Sequence, residues 1–270
     1  MSIAFTRAVS PLLPSCELTH RSRQPIDVRR ARAQHRGYEA ALRALGLEVR
    51  RLPAAPEHPD GVFVEDGAVV LPDVAIIARP GAPSRRGEVA SVEEALARFR
   101  PLFRVPQPAT LDGGDVLVDG RTVFVGASAR TNAAAHDWLE DLLRPRGYDV
   151  RVVAVAGCLH LKTAVTAPLP GTFLLNPRWV DRASFAGQRV VEVDPAEPWA
   201  ANVLPVGPRV LCAAGAPATL RRLRALALDV RLVDLSEFAR AEAGPTCCTL
   251  VVSEDAGPLH IESGPTRSNG

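Results

Sequence analysis

A cysteine, a histidine and several carboxylates, which together suffice for thiol-based nucleophilic catalysis, sit in this chain at the ends of short apolar runs. Cys247 stands in Gly244-Pro245-Thr246-Cys247-Cys248 and His160 in Leu159-His160-Leu161-Lys162. The carboxylates stand in Asp60-Gly61-Val62-Phe63-Val64-Glu65-Asp66 and in Leu111-Asp112-Gly113-Gly114-Asp115. Two further segments, 79–88 with Arg85 and Ala129-Arg130-Thr131-Asn132, add basic groups. Each motif alone also has an ordinary structural reading. Glu65-Asp66 reads as carboxylates aimed at a cationic ligand or as a solvated acidic turn. The Asp-Gly-Gly-Asp stretch reads as a tight turn, or as backbone that approaches a ligand closely beside a carboxylate that orients a base. His160 between leucines reads as a satisfied core residue or as an acid/base, and Cys247-Cys248 as small buried hydrophobes or as a nucleophile and its neighbour. Their coexistence in one chain favours the chemical readings.

The elements that must position these residues recur. A helical stretch with an apolar face runs into an acid, Val and Arg three times, at Glu48-Val49-Arg50, Asp149-Val150-Arg151 and Asp229-Val230-Arg231, with an apolar pair following the last two. Two looser copies contain Val105 and Val191. The five valines are roughly 40 to 55 residues apart, a period that points to a repeat architecture. Five such units suggest a closed ring whose natural active site is its central channel. Asp27 is the expected N-cap of the first helix and Gly46 its stop. Ser91 and Glu94 have the capping-box form, and a third helix starts near Asn132 and stops before Pro145 and Gly147. Apolar runs at 68–71, 74–77, 116–118, 122–125, 172–175 and 210–212 read as strands, and Asp119-Gly120 as a hairpin turn.

Composition sets the frame. The chain has 270 residues, 47% hydrophobic and 23% charged, with mean hydropathy near zero, as in ordinary globular proteins. A net charge of +2 with scattered arginines gives no reason to expect nucleic acid. No apolar run reaches the length of a membrane span, and the N-terminus has no signal-peptide pattern. Five cysteines without metal-site spacing favour reduced thiols in a cytoplasm. Residues 1–253 are expected to form one catalytic domain and 254–270 a poorly ordered tail.

Taken together and in order, the segments at 60–66, 79–88, 111–115, 129–132 and 159–162, with Ala200-Ala201-Asn202 and Thr246-Cys247-Cys248, resemble the dimethylarginine dimethylaminohydrolase family of the pentein superfamily. The resemblance runs from about Ile3 to Val252. It implies a five-bladed α/β-propeller of ββαβ units around a central active-site channel. It also implies hydrolysis of Nω-methylated arginines to citrulline and methylamines through a covalent thiouronium. By the same resemblance Cys247 is the nucleophile, His160 the general acid/base and Asp112 the acid behind it. Asp60, Glu65 and Asp66 match the substrate guanidinium and amino site, Arg85 and Arg130 hold the substrate carboxylate, and Leu18 falls in a mobile lid. No metal or organic cofactor is implied, although such a pocket would take up inhibitory zinc at Cys247. The expected partner is a small-molecule substrate, with no nucleic acid and no membrane, and a homodimer is compatible. Within the superfamily an arginine deiminase is a competing reading, but its inserted helical domain has no room here; hydrolysis of another N-substituted arginine or short guanidino acid is a further one. A non-catalytic pentein scaffold is the last, and it would need none of Cys247, His160 and Asp112.

Overall fold

The computed structural model describes residues 2–253; the tail read above at 254–270 lies outside the described residues. Fifteen strands form five three-stranded sheets. The first sheet joins the two ends of the described chain: β1 (Ser2–Thr6) pairs in parallel with β2 (Glu48–Arg51) and antiparallel with β15 (Leu250–Ser253), Ser2 facing Ser253. The second holds β3 (Ala68–Val70), β4 (Ala75–Ile77) and β5 (Leu102–Arg104), and the third β6 (Val116–Asp119), β7 (Thr122–Ala127) and β8 (Asp149–Ala154). The fourth holds β9 (Val165–Leu169), β10 (Thr172–Leu175) and β11 (Arg189–Glu192), and the fifth β12 (Val203–Val206), β13 (Arg209–Ala213) and β14 (Asp229–Val233). In each sheet the middle strand is antiparallel to one neighbour and parallel to the other. Only a crossover can connect parallel neighbours, which is why a helix recurs before the third strand.

Those crossovers are α1 (Val28–Ala44), α2 (Ala90–Leu96), α3 (Ala133–Leu143) and α5 (Pro217–Arg224). Two one-turn helices, α4 (Leu161–Ala164) and α6 (Ser236–Ala239), lie elsewhere. The Asp27 carboxylate accepts the Arg30 amide and Gly46 takes φ +89°, so α1 starts and stops by the expected chemistry. Ala31, Tyr38 and Leu42 form its buried face. Asn132 caps α3 through the Ala135 amide. Two expectations fail for identifiable reasons. Ser91 does not cap α2, whose N-cap is Val89; its hydroxyl accepts the buried Arg7 guanidinium at 2.7 Å, alongside the Gly61 and Glu88 carbonyls. The fourth sheet has no α-helical crossover, and a 3₁₀ turn, Arg182–Phe185, replaces it. Strands β9 and β12 escaped the sequence reading because each carries a proline, Pro168 and Pro205, that breaks the strand pattern.

Val69, Leu117, Thr166, Leu204 and Val251, one from each of β3, β6, β9, β12 and β15, line one central cavity. The five sheets are therefore blades around an axis, the α/β pentein arrangement. Among the described residues no helix is long and apolar enough to cross a membrane.

Candidate active site

The repeat explains why chemically active residues gather. Each inner strand is entered from a short segment at one end of the cavity, and each segment carries polar side chains. The turn Val64–Gly67 leads into β3 with Glu65 and Asp66, and Asp112 with the turn Gly113–Asp115 leads into β6. His160 and Lys162 precede β9, Asn202 precedes β12, and Thr246 and Cys247 precede β15.

His160 stands between two carboxylates, its Nε2 3.0 Å from Asp112 Oδ2 and its Nδ1 3.7 Å from Asp66 Oδ1. Both acids are themselves pinned. Asp112 Oδ1 accepts the Gly81 amide at 2.8 Å, and Asp66 accepts the Gly114 amide at 3.0 Å and Arg85 Nη1 at 2.5 Å. Burial pulls the His160 pKa down, but Asp66, Asp115 and Asp112 outweigh it and bring it up to about 9. The ring is an imidazolium at neutral pH. Asp66 is held below the usual carboxylate range: burial opposes this, and His160 and Arg85 overcome it. Asp115, fully buried, accepts from the Leu161 amide, Ser128 and Thr131, and so fixes the segment that follows His160.

The Asp-Gly-Gly-Asp motif is a close-approach device, but toward protein rather than ligand. A Cβ on Gly114 would lie 2.7 Å from both Asp66 Oδ1 and His160 Nδ1. Gly114→Ala is expected to push these two apart. A displacement of about 1 Å costs on the order of 10²-fold in rate, so kcat should fall by that factor. Steady-state kinetics on purified folded variant checks it, and wild-type kcat would show that the approach has no catalytic consequence.

Cys247 is partly accessible whereas Cys248 is fully buried. The Cys247 sulfur accepts the Gly244 amide at 3.4 Å, and its carbonyl accepts the Glu65 amide at 3.2 Å. Enclosure by protein raises the thiol pKa, the Glu65 and Asp66 charges raise it further, and the Gly244 amide offsets only part. At neutral pH the pair is therefore thiol and imidazolium. Glu65 is tied at both oxygens, to Lys162 Nζ at 2.5 Å and Thr246 Oγ1 at 2.7 Å. It thus couples two segments where all three residues line the central cavity.

Arg85 is likewise committed. Its guanidinium bonds Asp66, Glu88 and the Asp60 and Phe63 carbonyls, and it is buried. Among the described residues the Arg130 guanidinium makes one long contact, Nη1 to Asp112 Oδ2 at 3.5 Å. Asp60 accepts the Glu17 amide at 3.0 and 3.3 Å, and burial, against the pull of Arg85 and Glu17, brings its pKa up to about 6. Asp60 thereby holds the segment that bears Leu18, and Leu18 packs against the same apolar cluster as Cys247. The rest of that segment is fastened by a residue that sequence reading did not single out. The Glu242 carboxylate accepts the amides of Thr19, His20 and Arg21 at 2.5–3.3 Å from a left-handed backbone, φ +59°. The Arg21 guanidinium lies 4.1 Å over Trp199. Nothing local in the sequence marks Glu242, since its partners are over 200 positions away.

Among the described residues, the donor atoms close enough to share a metal ion belong to Asp66, Asp112 and His160, within 4.8 Å of one another. Cys247 is outside that group, so the expected zinc position at Cys247 has no preformed ligand set.

Five ββαβ-type blades with a cysteine, a histidine and acids at the strand entries define a pentein-class site. A family described as N,N dimethylarginine dimethylhydrolase, eukaryotic, matches residues 17–165. A dimethylarginine dimethylaminohydrolase of Streptomyces coelicolor is 43% identical over 252 residues, 93% of this chain and 97% of the relative. A solved cysteine-to-serine variant of the Pseudomonas aeruginosa enzyme, complexed with citrulline, superposes with TM-score 0.88 at 33% identity, covering 92% of this chain and 98% of that one. A dimethylarginine dimethylaminohydrolase adduct with S-methyl-L-thiocitrulline, in a histidine-to-glycine variant, gives TM-score 0.88 at 32% identity, covering 93% and 100%. The chain belongs to the dimethylarginine dimethylaminohydrolase family.

Proposed function

We propose that this protein hydrolyses Nω-methylated arginines to citrulline and methylamines, with Cys247 as nucleophile. The observation that carries the reading is the placement of an accessible Cys247, whose carbonyl takes the Glu65 amide, on the same ring of strand entries that holds His160 between Asp112 and Asp66, with Glu65 and Asp66 raising the thiol pKa. Such a site suppresses the thiolate until a cation arrives. A bound guanidinium, held by Asp66, screens those charges and lowers the thiol pKa, and the thiol proton leaves to solvent because His160 is already protonated. The sulfur attacks the guanidinium carbon, which is otherwise a poor electrophile because its charge is delocalised. As the bond to the methylated nitrogen breaks, His160 gives that nitrogen its proton and the amine departs. The neutral imidazole then takes a proton from water. Attack of the water oxygen and cleavage of the C–S bond release the ureido product. Asp112 keeps the His160 ring in place throughout. These steps use side chains alone.

Asp60 suits the substrate amino group, being a buried carboxylate beside the Leu18 segment, which closes the pocket. Arg130, with one long contact, takes the substrate carboxylate, and Arg85 supports it while holding Asp66 in register. The five free thiols fit a reducing cytoplasm. The test is formation of ureido product with dimethylarginine, arginine and agmatine in parallel. Agmatine lacks the carboxylate and would leave Arg130 with only its long Asp112 contact. Losing one charge-assisted hydrogen bond costs about 1.5–3 kcal/mol, so its kcat/KM should be at least about tenfold lower. Arg130→Ala should erase that difference. Agmatine hydrolysed as well as dimethylarginine, or plain arginine preferred, would assign the site to another guanidino substrate.

A further inference from the structure

Four blades place an acid, a base or a nucleophile at the entry to the inner strand. The fifth places Asn202 there, fully engaged and 6% exposed. Its Oδ1 accepts the Thr246 amide at 3.0 Å, and its Nδ2 donates to the Lys162 carbonyl at 3.0 Å and to Thr246 Oγ1 at 2.9 Å. A carbonyl can only accept and an amide N–H can only donate, so these partners fix which way the Asn202 amide faces. Thr246 Oγ1 therefore receives a proton from Asn202 and directs its own to Glu65 Oε2 at 2.7 Å. Glu65 in turn takes Lys162 Nζ, two residues beyond His160. The loop is closed: Asn202, Thr246, Glu65 and Lys162 link the turn that bears Cys247 to the segment that bears His160. Gly244 makes room for it, since a Cβ there would lie 2.6 Å from Asn202 Cγ.

We propose that Asn202 and Thr246 are positioning residues for the thiol chemistry: Asn202 locks the Cys247 turn to the His160 segment, and Thr246 carries that lock on to Glu65. The inference rests on the function proposed above. Neither side chain belongs to the groups that read the substrate's charged ends, so the effect should fall on kcat. The Thr246 hydroxyl also satisfies Glu65, whose charge raises the Cys247 thiol pKa, which gives the second residue a readout independent of substrate.

The experiment compares Thr246→Val, Thr246→Ser and Asn202→Asp with wild type for kcat and KM on dimethylarginine, melting temperature and the pH dependence of Cys247 alkylation by iodoacetamide. Asn202→Asp keeps the shape but removes the donor to the Lys162 carbonyl. Thr246→Val and Asn202→Asp should each lower kcat by about 10- to 100-fold with KM within about threefold. Thr246→Ser should restore kcat to within about threefold, and Thr246→Val should move the alkylation midpoint to higher pH. Should Asn202→Asp not fold, the valine and serine variants decide alone. Wild-type kcat in Thr246→Val, equal losses in Val and Ser, or a loss confined to KM would each overturn the inference. A wild-type protein that turns over no guanidino substrate would instead sink the functional reading, while the alkylation midpoints would still report on Thr246.

Discussion

Cys247→Ser should lower turnover by at least about 10⁴-fold while Cys248→Ser keeps most of it. The two thiols are adjacent in sequence but not in environment. The Cys247 sulfur is reachable and receives the Gly244 amide, whereas Cys248 is enclosed in the apolar cluster with Tyr38, Phe63 and Phe238. A serine at 247 has the same reach but does not ionise when a guanidinium arrives, so no covalent adduct forms. A serine at 248 places a hydroxyl among apolar side chains and should cost about 1–3 kcal/mol of stability with the chemistry intact. Acid quenching during turnover, followed by peptide mass spectrometry, locates the adduct. A substrate-derived mass on Cys248 would show the nucleophile to be misassigned.

The second large effect is on His160. His160→Ala should lower kcat by about 10²–10⁴-fold, the usual contribution of a positioned acid and base. The substitution also removes the cation from between Asp66 and Asp112, both buried, and breaking such a pair costs about 3–5 kcal/mol. Activity and stability therefore fall together, and pH separates them. The folded pKa of about 9 lies above the unfolded value near 6.5, so the stabilisation by protonated His160 is complete below about 6.5. It is lost as pH rises through 9, and amounts to about 3 kcal/mol. Wild-type melting temperature should drop across that window, and His160→Gln should flatten the drop. In the wild type kcat/KM should rise through about pH 6 as Asp60 ionises to receive a cation, and fall through about pH 9 as His160 loses its proton. An alkaline limb still near 9 in a His160 variant would assign that limb to another group.

Much of the architecture was legible without coordinates because it is written in short-range rules. The Asp27 and Asn132 caps act on amides three residues away, and Gly46 stops α1 by its own backbone freedom. The spacing of Val49, Val105, Val150, Val191 and Val230 follows the third strand of each blade, and the family resemblance followed from motifs in fixed order. The sequence by itself thus determined the bounds of α1 and the start of α3, the five-fold repeat and the kinds of residue available for chemistry. Where local rules met a distant demand they failed: Ser91 had the form of a cap, but the buried Arg7 claimed its hydroxyl. The tertiary structure alone decided how the site is wired. Glu65 and Arg85 are charged groups whose protein partners no local pattern names: Glu65 takes Lys162 and Thr246, and Arg85 takes Asp66 and Glu88. Asn202, Thr246 and Glu242 acquire their partners across 40 to 223 positions of sequence. A hydrogen bond is a contact in space, so it becomes visible only once closure of the ring has set which strand entries stand side by side.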